Sequence, residues 1–477
     1  MDASTGNAGP RTRRLHRKVI AISIGAALGG FLFGFDSSVI NGAVDSIAGE
    51  FALSDAVTGF AVASALLGCA VGAWFAGTLA DRLGRVRVMV ISAAVFLVSA
   101  IGSGFAFGVY DLIAWRIVGG LAIGAASVIA PAYIAEVAPA AFRGRLGSLQ
   151  QLAIVTGIFA ALLSDESLAG AAGGASEELF LGLEAWRWMF MVAAIPAVVY
   201  GGIALTLPES PRYLVERHRD HEAAAVLTEY TGEPDPQGRI AAIRSSLAGD
   251  EHLSLADLRG TSFGLKPIVW TGILLSVLQQ FVGINVIFYY STALWQAVGF
   301  DESDAFTTST ITSLTNIVVT VIAIALVDKI GRRILLLVGS AGMTVSLGIM
   351  AIAFSQATLD AAGDASLPGA WAPVALIAAN LFVVFFGATW GPVVWVLLGE
   401  MFPNRIRAAA LAVAAAAQWL ANFTITMTFP IIAGWSLAIA YGFYAAMALV
   451  SFWFVLKRVR ETKGVELEDM PEEASLA

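Results

Sequence analysis

Asp81-Arg82-Leu83-Gly84-Arg85 stands between two long apolar runs, and Asp328-Lys329-Ile330-Gly331-Arg332-Arg333 stands between two more, 247 residues further on. A second pair of strings keeps roughly that offset: Glu136-Val-Ala-Pro139-Ala-Ala-Phe-Arg143-Gly-Arg145, then Glu400-Met-Phe-Pro403-Asn-Arg405-Ile-Arg407. Short charged strings repeated between apolar runs at a half-chain interval read as a duplicated membrane protein. Paired repeats that rock against each other are the usual construction of a secondary transporter.

Composition agrees. The chain is 58% hydrophobic and only 13% charged, with a mean hydropathy of +0.77, whereas soluble domains carry roughly 25% charge. Apolar runs begin near Val19, Ala56, Val88, Leu112, Gly147, Ala185, Pro267, Ala305, Ile334, Trp371, Arg407 and Leu437. Each is long enough to cross about 30 Å of hydrocarbon as a helix. The expected fold is an all-α membrane protein of twelve transmembrane helices in two pseudo-symmetric six-helix bundles, with short intracellular helices.

The basic residues set the expected orientation. Of 28 Lys and Arg, 26 fall in the N-terminal segment, in alternate loops or in the C-terminal tail. The intervening loops are acidic instead, with Asp45, Asp55, Glu177, Glu178, Asp301, Glu302, Asp360 and Asp364. By the positive-inside rule both termini and the long central loop are cytoplasmic, in a multi-pass protein of the plasma (inner) membrane. The basic clusters are short and juxtamembrane, so nothing here favours nucleic acid as a partner. The apolar run after Arg11–Lys18 is too long for a signal peptide and holds Asp36, so it reads as the first spanning helix. Cys69 is the only cysteine, which excludes an intramolecular disulfide.

The expected organisation is a cytoplasmic tail over 1–18, a six-helix bundle over 19–207, an intracellular helical linker over 208–266, a second bundle over 267–457 and a cytoplasmic tail over 458–477. The linker mixes charge with helical apolar spacing, which predicts short amphipathic helices. Residues 169–174, small and Gly-rich, read as an external loop.

Asp36 lies inside the first spanning helix. An ionisable group at that depth costs several kcal/mol unless paired or neutralised, so it is a functional candidate. Arg116, in the fourth helix, is the matching cation. Both sit about six residues from the outer end, roughly 9 Å deep. Gly120 and Gly124 follow Arg116 at i+4 and i+8, a small-residue stripe that admits a neighbouring helix. The competing reading is a structural ion pair.

Gln279, Gln280 and Asn285, with Tyr289 and Tyr290, form the densest polar cluster. On a regular helix Asn285 would point about 140° away from Gln280. Gly283 lies between them, where unwinding would bring the amides together; the alternative is interhelical hydrogen bonding. Gln150, Gln151, Asn316, Gln418 and Asn422 are scattered through comparable helices, with Trp390, Trp395 and Trp419 near the later ones. Amides donate and accept, as neighbouring hydroxyls require, and tryptophan offers a flat face to a sugar ring. The palette points to a polar, neutral solute. Asp81, Arg82, Arg85, Glu136, Arg143, Glu209 and Arg212, with Asp328, Arg332, Arg333, Glu400, Arg405 and Arg407, read as an inner gate of ion pairs that holds the inner side closed while the outside is open. Exposed pairs are individually weak, so only a network biases the conformations, and the alternative is plain topology-setting charge. No P-loop, catalytic carboxylate pair or metal-ligand set appears, so no cofactor, metal or enzymatic activity is expected.

These strings resemble the sugar porters of the major facilitator superfamily, and among them the bacterial proton-coupled xylose and glucose symporters. The marks run from Gly77–Arg85 through Arg116–Gly124, Pro208-Glu209-Ser210-Pro211-Arg212 and Gln279–Tyr290 to Gly391–Arg407. The resemblance implies that Gln151, Gln279, Gln280, Asn285, Asn316, Trp395 and Gln418 contact the sugar, with Phe33, Tyr289 and Trp419 around it. It also implies that Asp36 takes the proton and pairs with Arg116. Two departures stand out: Val86 where the first gate motif repeats arginine, and Arg460 in place of the tail motif's proline. The expected activity is alternating-access symport of a proton with a monosaccharide, carried by a monomer in the lipid bilayer. A sugar uniporter with a structural Asp36 and a transporter-like sugar sensor are the competing readings.

Overall fold

The computed structural model describes residues 10–137, 143–249, 255–260, 263–359, 365–402 and 406–461. Twelve of its helices are long and apolar enough to cross a membrane. In chain order they are α1 (Pro10–Val39), α2 (Asp55–Leu83), α3 (Arg85–Gly104), α4 (Val109–Val137), α5 (Arg143–Ala172), α6 (Ala185–Ala204), α7 (Pro267–Tyr289), α8 (Glu302–Ile330), α9 (Arg332–Phe354), α10 (Trp371–Met401), α11 (Arg407–Trp435) and α12 (Leu437–Arg458). Two are interrupted. α7 stops at Phe281 and resumes at Ile284. α10 carries a wide π turn over Phe386–Trp390 before Pro392 starts its second piece.

Within the first half α2 packs on α4, α1 on α5, and α3 on α4 and α6; within the second α7 packs on α11 and α9 on α10 and α12. The halves meet through α2 against α11 and α5 against α8. These two contacts are related by the duplication, since α8 and α11 occupy the places in the second half that α2 and α5 hold in the first. Glycine makes the closest approaches possible. A methyl group on Gly120 or Gly124 of α4 would strike the carbonyl oxygens of Ala65 and Cys69 on α2. The stripe therefore seats a helix, as its spacing predicts, and Arg116 between those helices is only 3% exposed.

The linker forms the short helices Pro211–Glu216, Asp220–Val226 and Pro236–Gly249. They share a small core of Leu214, Val215, Ala223, Leu227 and Ile240. The Ser210 hydroxyl oxygen accepts from the N–H groups of Arg212 and Tyr213, and Pro211 follows at the first helical position, a strong helix start. Lys18 at the basic end of α1 pairs with Glu229 at 2.8 Å and ties the linker to the first half.

One expectation is corrected. Residues 169–172 are the last turn of α5 rather than loop. Alanines outweigh the single Gly170 in helix propensity, and the helix ends only where Gly173 takes φ +91.

Candidate functional site

The centre of the molecule is built on the break in α7. Gly283 has φ +81, in the left-handed region, with its α-carbon against the ring of Tyr444. Across that break the Asn285 side-chain amide donates to Gln280 Oε1 at 2.5 Å. The unwound turn therefore does what a regular helix forbids and brings residues five apart to one spot. Gln279 extends the cluster sideways: its amide donates to the carbonyl of Trp390 at 2.9 Å and to that of Gly391 at 3.4 Å. Carbonyls are available there because the π turn of α10 interrupts the regular ladder. The two irregular helices thus meet through one glutamine.

The other predicted residues lie on α1, α5, α7, α8, α10 and α11. Asn316 of α8 is buried, and its side-chain oxygen faces Gly387 in the same π turn. Trp395 lies one turn further along α10 and is 43% exposed. Pro392, Trp395 and Gly399 share the side of α10 left uncovered by α7, α8, α9 and α11. Gln418 of α11 and Gln150 of α5 each hold a buried carbonyl oxygen with no hydrogen-bond partner; Gln151 beside it is half-buried. Phe33 of α1 meets Trp419 of α11 edge to face at 5.4 Å. Tyr289 is buried beside Asn422 and Ser37.

Asp36 and Arg116 line one small cavity, together with Phe33, Ser37, Val62, Ala65, Leu66, Cys69 and Tyr289. Here the expected direct pair is corrected: no ion pair joins them within 4.0 Å among the described residues. Arg116 is turned elsewhere. Its Nη2 reaches the Val62 carbonyl at 3.5 Å and its guanidinium packs over the Phe190 ring at 5.7 Å, while Nε and Nη1 have no partner.

At the end bearing the basic residues each half repeats one arrangement. Gly84 (φ +96) and Gly331 (φ +103) turn α2 into α3 and α8 into α9. A carboxylate sits against each turn and accepts from the N–H groups that open the next helix. Glu209 takes Arg85 N at 3.0 Å and Val86 N at 3.3 Å; Glu461 takes Arg332 N at 2.9 Å and Arg333 N at 3.1 Å. An anion is favoured there by the unpaired amides and the helix dipole. Val86 keeps this role through its backbone, so losing the arginine side chain leaves the cap intact. Burial nonetheless holds the Glu209 carboxyl above the usual range, outweighing the Ser210, Arg85 and Val86 N–H groups and the Arg85 charge.

Arg85 then pairs with Glu136 and Asp81, both at 3.1 Å, and Arg332 pairs with Glu400 at 2.8 Å. The Ser210 hydroxyl donates to Glu136. In this conformation these pairs each stay within one half, and Arg85 and Arg332 are buried. The Arg82 carbonyl accepts from Arg217 and Tyr213, Arg333 donates to the Leu456 carbonyl, and Arg212 is half-buried. Arg405 lies outside the described residues, as do the side chains of Arg143, Asp328 and Arg407.

At the opposite, acidic end the halves are joined. Asn41, just after α1, donates to the Thr292 hydroxyl at 2.9 Å and accepts from the Thr292 N–H at 3.0 Å. Thr307 donates to Glu166 at 2.7 Å, Glu302 accepts from the Ala175 N–H at 2.9 Å, and Phe60 meets Phe423 at 6.2 Å. Sequence reasoning missed Asn41, Thr292 and Glu461 as working residues. Asn41 and Thr292 did carry a signal, each being a polar group shortly after a residue already singled out, Asp36 and Tyr290.

A family model described as "Sugar (and other) transporter" matches residues 22–474. The chain is 54% identical over 454 residues to the glucose transport protein of Synechocystis sp., with 95% of this chain and 97% of that one covered. It is 36% identical over 486 residues to the D-xylose-proton symporter of Escherichia coli K12, with 95% of each covered. Among solved structures, the inward open conformation of the xylose transporter XylE from E. coli matches with a TM-score of 0.79 at 34% identity, covering 95% of this chain and 99% of that one.

Proposed function

We propose, for a chain that belongs to the sugar-transporter family of the major facilitator superfamily, that it couples the entry of a proton to the entry of a monosaccharide. The amides of Gln279, Gln280 and Asn285, with Gln151, Asn316 and Gln418, bind the hydroxyls. Trp395, Trp419, Phe33 and Tyr289 cover the apolar faces of the ring. The basic end faces the cytoplasm, so the conformation, joined at its acidic end, is inward-facing. The halves 19–207 and 267–457 rock about the central site, and the 208–266 linker braces their cytoplasmic side.

One observation carries the coupling. Phe33 and Tyr289 belong to both sites: each lines the cavity of Asp36 and Arg116, while Phe33 also touches Trp419 and Tyr289 sits beside Asn422. A change of charge at Asp36 therefore meets the sugar site through direct contact rather than across a long path. Protonation from outside removes the negative charge facing Arg116, sugar binds, the acidic end closes, and both leave inward. Inward proton movement contributes about 2.3 kcal/mol per 100 mV of membrane potential.

A uniporter with a structural Asp36 is the weaker reading. A structural buried carboxylate is held by a direct ion pair or by hydrogen-bond donors, and among the described residues Asp36 has neither, although Arg116 lines the same cavity. The test is whether sugar drives proton movement in proteoliposomes.

A further inference from the structure

Asp165 of α5 is fully buried, at 0% exposure; neither carboxyl oxygen has a partner of full hydrogen-bond geometry, and the Gly42 N–H faces it at the margin of one. Nothing in the transport reading above employs it. Its side chain packs on Gly42, where an added Cβ would lie 2.9 Å from the Asp165 Cβ and 3.0 Å from its carboxyl carbon, with the Met189 sulfur on the other side. Gly42 directly follows Asn41, whose side chain clasps Thr292 of the other half. The acid thus stands behind the clasp that joins the halves at the acidic end.

The elements packed around α5 supply no positive charge to it. Arg187 on α6 is committed to Glu50 at 2.5 Å, to Glu184 at 2.7 Å and to the Gly104 and Ala106 carbonyls. Arg116 on α4 reaches the Val62 carbonyl. The other charged side chains at the acidic end of these elements are acids: Asp36 on α1, Asp45 and Glu50 on the short helix Val44–Glu50, Glu178 in the strand after α5, and Glu302 and Asp304 on α8. Among the described side chains the basic residues of α1 and α8, Lys18 and Lys329, lie at the opposite end. Glu166 is the next residue of α5 and accepts from Thr307. A carboxylate enclosed with no cation, and with the Gly42 N–H as its facing donor, still costs several kcal/mol, and a neutral acid far less.

We propose that Asp165 is a second proton-binding site, occupied whenever the acidic end is closed. The carboxyl takes a proton from the medium on that side before Asn41 and Thr292 engage, and returns it to the same side when they part. This proton is not carried across. It makes closure depend on the pH at the acidic face, with acid favouring the closed form. The inference rests on the alternating-access part of the reading above, and on neither the identity of the solute nor coupling at Asp36.

Two measurements on the full chain test it without any sugar. Infrared spectra near neutral pH should contain a protonated-carboxyl band that Asp165→Asn removes and Asp36→Asn leaves; a spectrum unchanged by Asp165→Asn overturns the proposal. Spin labels at Gly49→Cys and Trp435→Cys, in a Cys69→Ser background, report opening of the acidic end as a longer distance. The long-distance share should rise with pH, and Asp165→Asn should abolish that rise while Asp45→Asn leaves most of it. A rise that survives Asp165→Asn, or that vanishes with Asp45→Asn alone, contradicts the assignment. Should Asp165→Asn fail to fold, Asp165→Glu replaces it, and the midpoint of the rise must move.

Discussion

Asp36 and Arg116 share one cavity without forming an ion pair across it. Opposite charges in so confined a space attract strongly at low dielectric, yet the guanidinium is turned to the Val62 carbonyl and the Phe190 ring. The relationship fits a site at which the acid is neutral in this conformation and the arginine is free to move when the acid ionises.

Asp36→Asn mimics the neutral acid permanently. It should abolish uphill accumulation of sugar in energised vesicles while exchange of labelled for unlabelled sugar continues. Accumulation at the wild-type level would remove Asp36 from the coupling.

The amides around Gly283 should carry much of the binding. Gln280→Ala and Asn285→Ala each remove a partner from the 2.5 Å hydrogen bond between them and from the proposed sugar. A loss of about 1–3 kcal/mol per buried partner corresponds to binding about five- to 150-fold weaker. Equilibrium binding of labelled sugar to each variant measures this directly, and unaltered affinity would move the site elsewhere.

Gly283→Ala probes the same break through the backbone. Alanine at φ +81 costs about 1–2 kcal/mol, and its methyl would lie 2.6 Å from the Tyr444 ring. Thermal unfolding should shift downward and sugar affinity should fall together. Wild-type behaviour in both would show that the left-handed turn is dispensable.

Glu209 and Glu461 do equivalent work in the two halves, so Glu209→Ala and Glu461→Ala should behave alike. Loss of a helix-start acceptor costs about 0.5–2 kcal/mol. Glu209→Ala should be the costlier, because Ser210 N–H also depends on that carboxylate at 2.8 Å. Melting curves of the two variants test the order.

Asp45 gives a pH dependence of known sign. Desolvation of its carboxyl, and then the neighbouring charge of Glu302, push it up to about 6. The native state therefore holds this proton more tightly than the unfolded chain between the ordinary carboxylate range and about pH 6, so stability falls as pH rises through that window and is level above it. Asp45 is nonetheless exposed at the surface, so solvent screening makes the effect small. Asp45→Asn should flatten the melting temperature across that window; an unchanged slope would assign it to another group.

The membrane fold was legible because its signals are local: long apolar runs, basic loops and two glycine-centred turns repeated at a half-chain offset. The break at Gly283 was legible for a similar reason, since helical periodicity alone shows that Gln280 and Asn285 cannot converge on a regular helix. The Asn41–Thr292 clasp was not, because its partners are 251 residues apart and each alone is an ordinary polar residue in an apolar run. The same limit hid the surroundings of Asp165, whose enclosure without a cation is a property of packing. The gate residues were recognised as charges, but whether they pair within or between halves depends on conformation, which sequence spacing does not encode.

The central claim is that Asp36 couples proton entry to sugar entry. The measurement that tests it most directly is the external pH of a suspension of proteoliposomes as xylose, glucose, galactose or fructose is added, with and without an uncoupler. The account predicts external alkalinisation with a transported sugar, abolished by the uncoupler and absent in Asp36→Asn. Sugar entry at a normal rate with no pH change in the wild-type protein would contradict it.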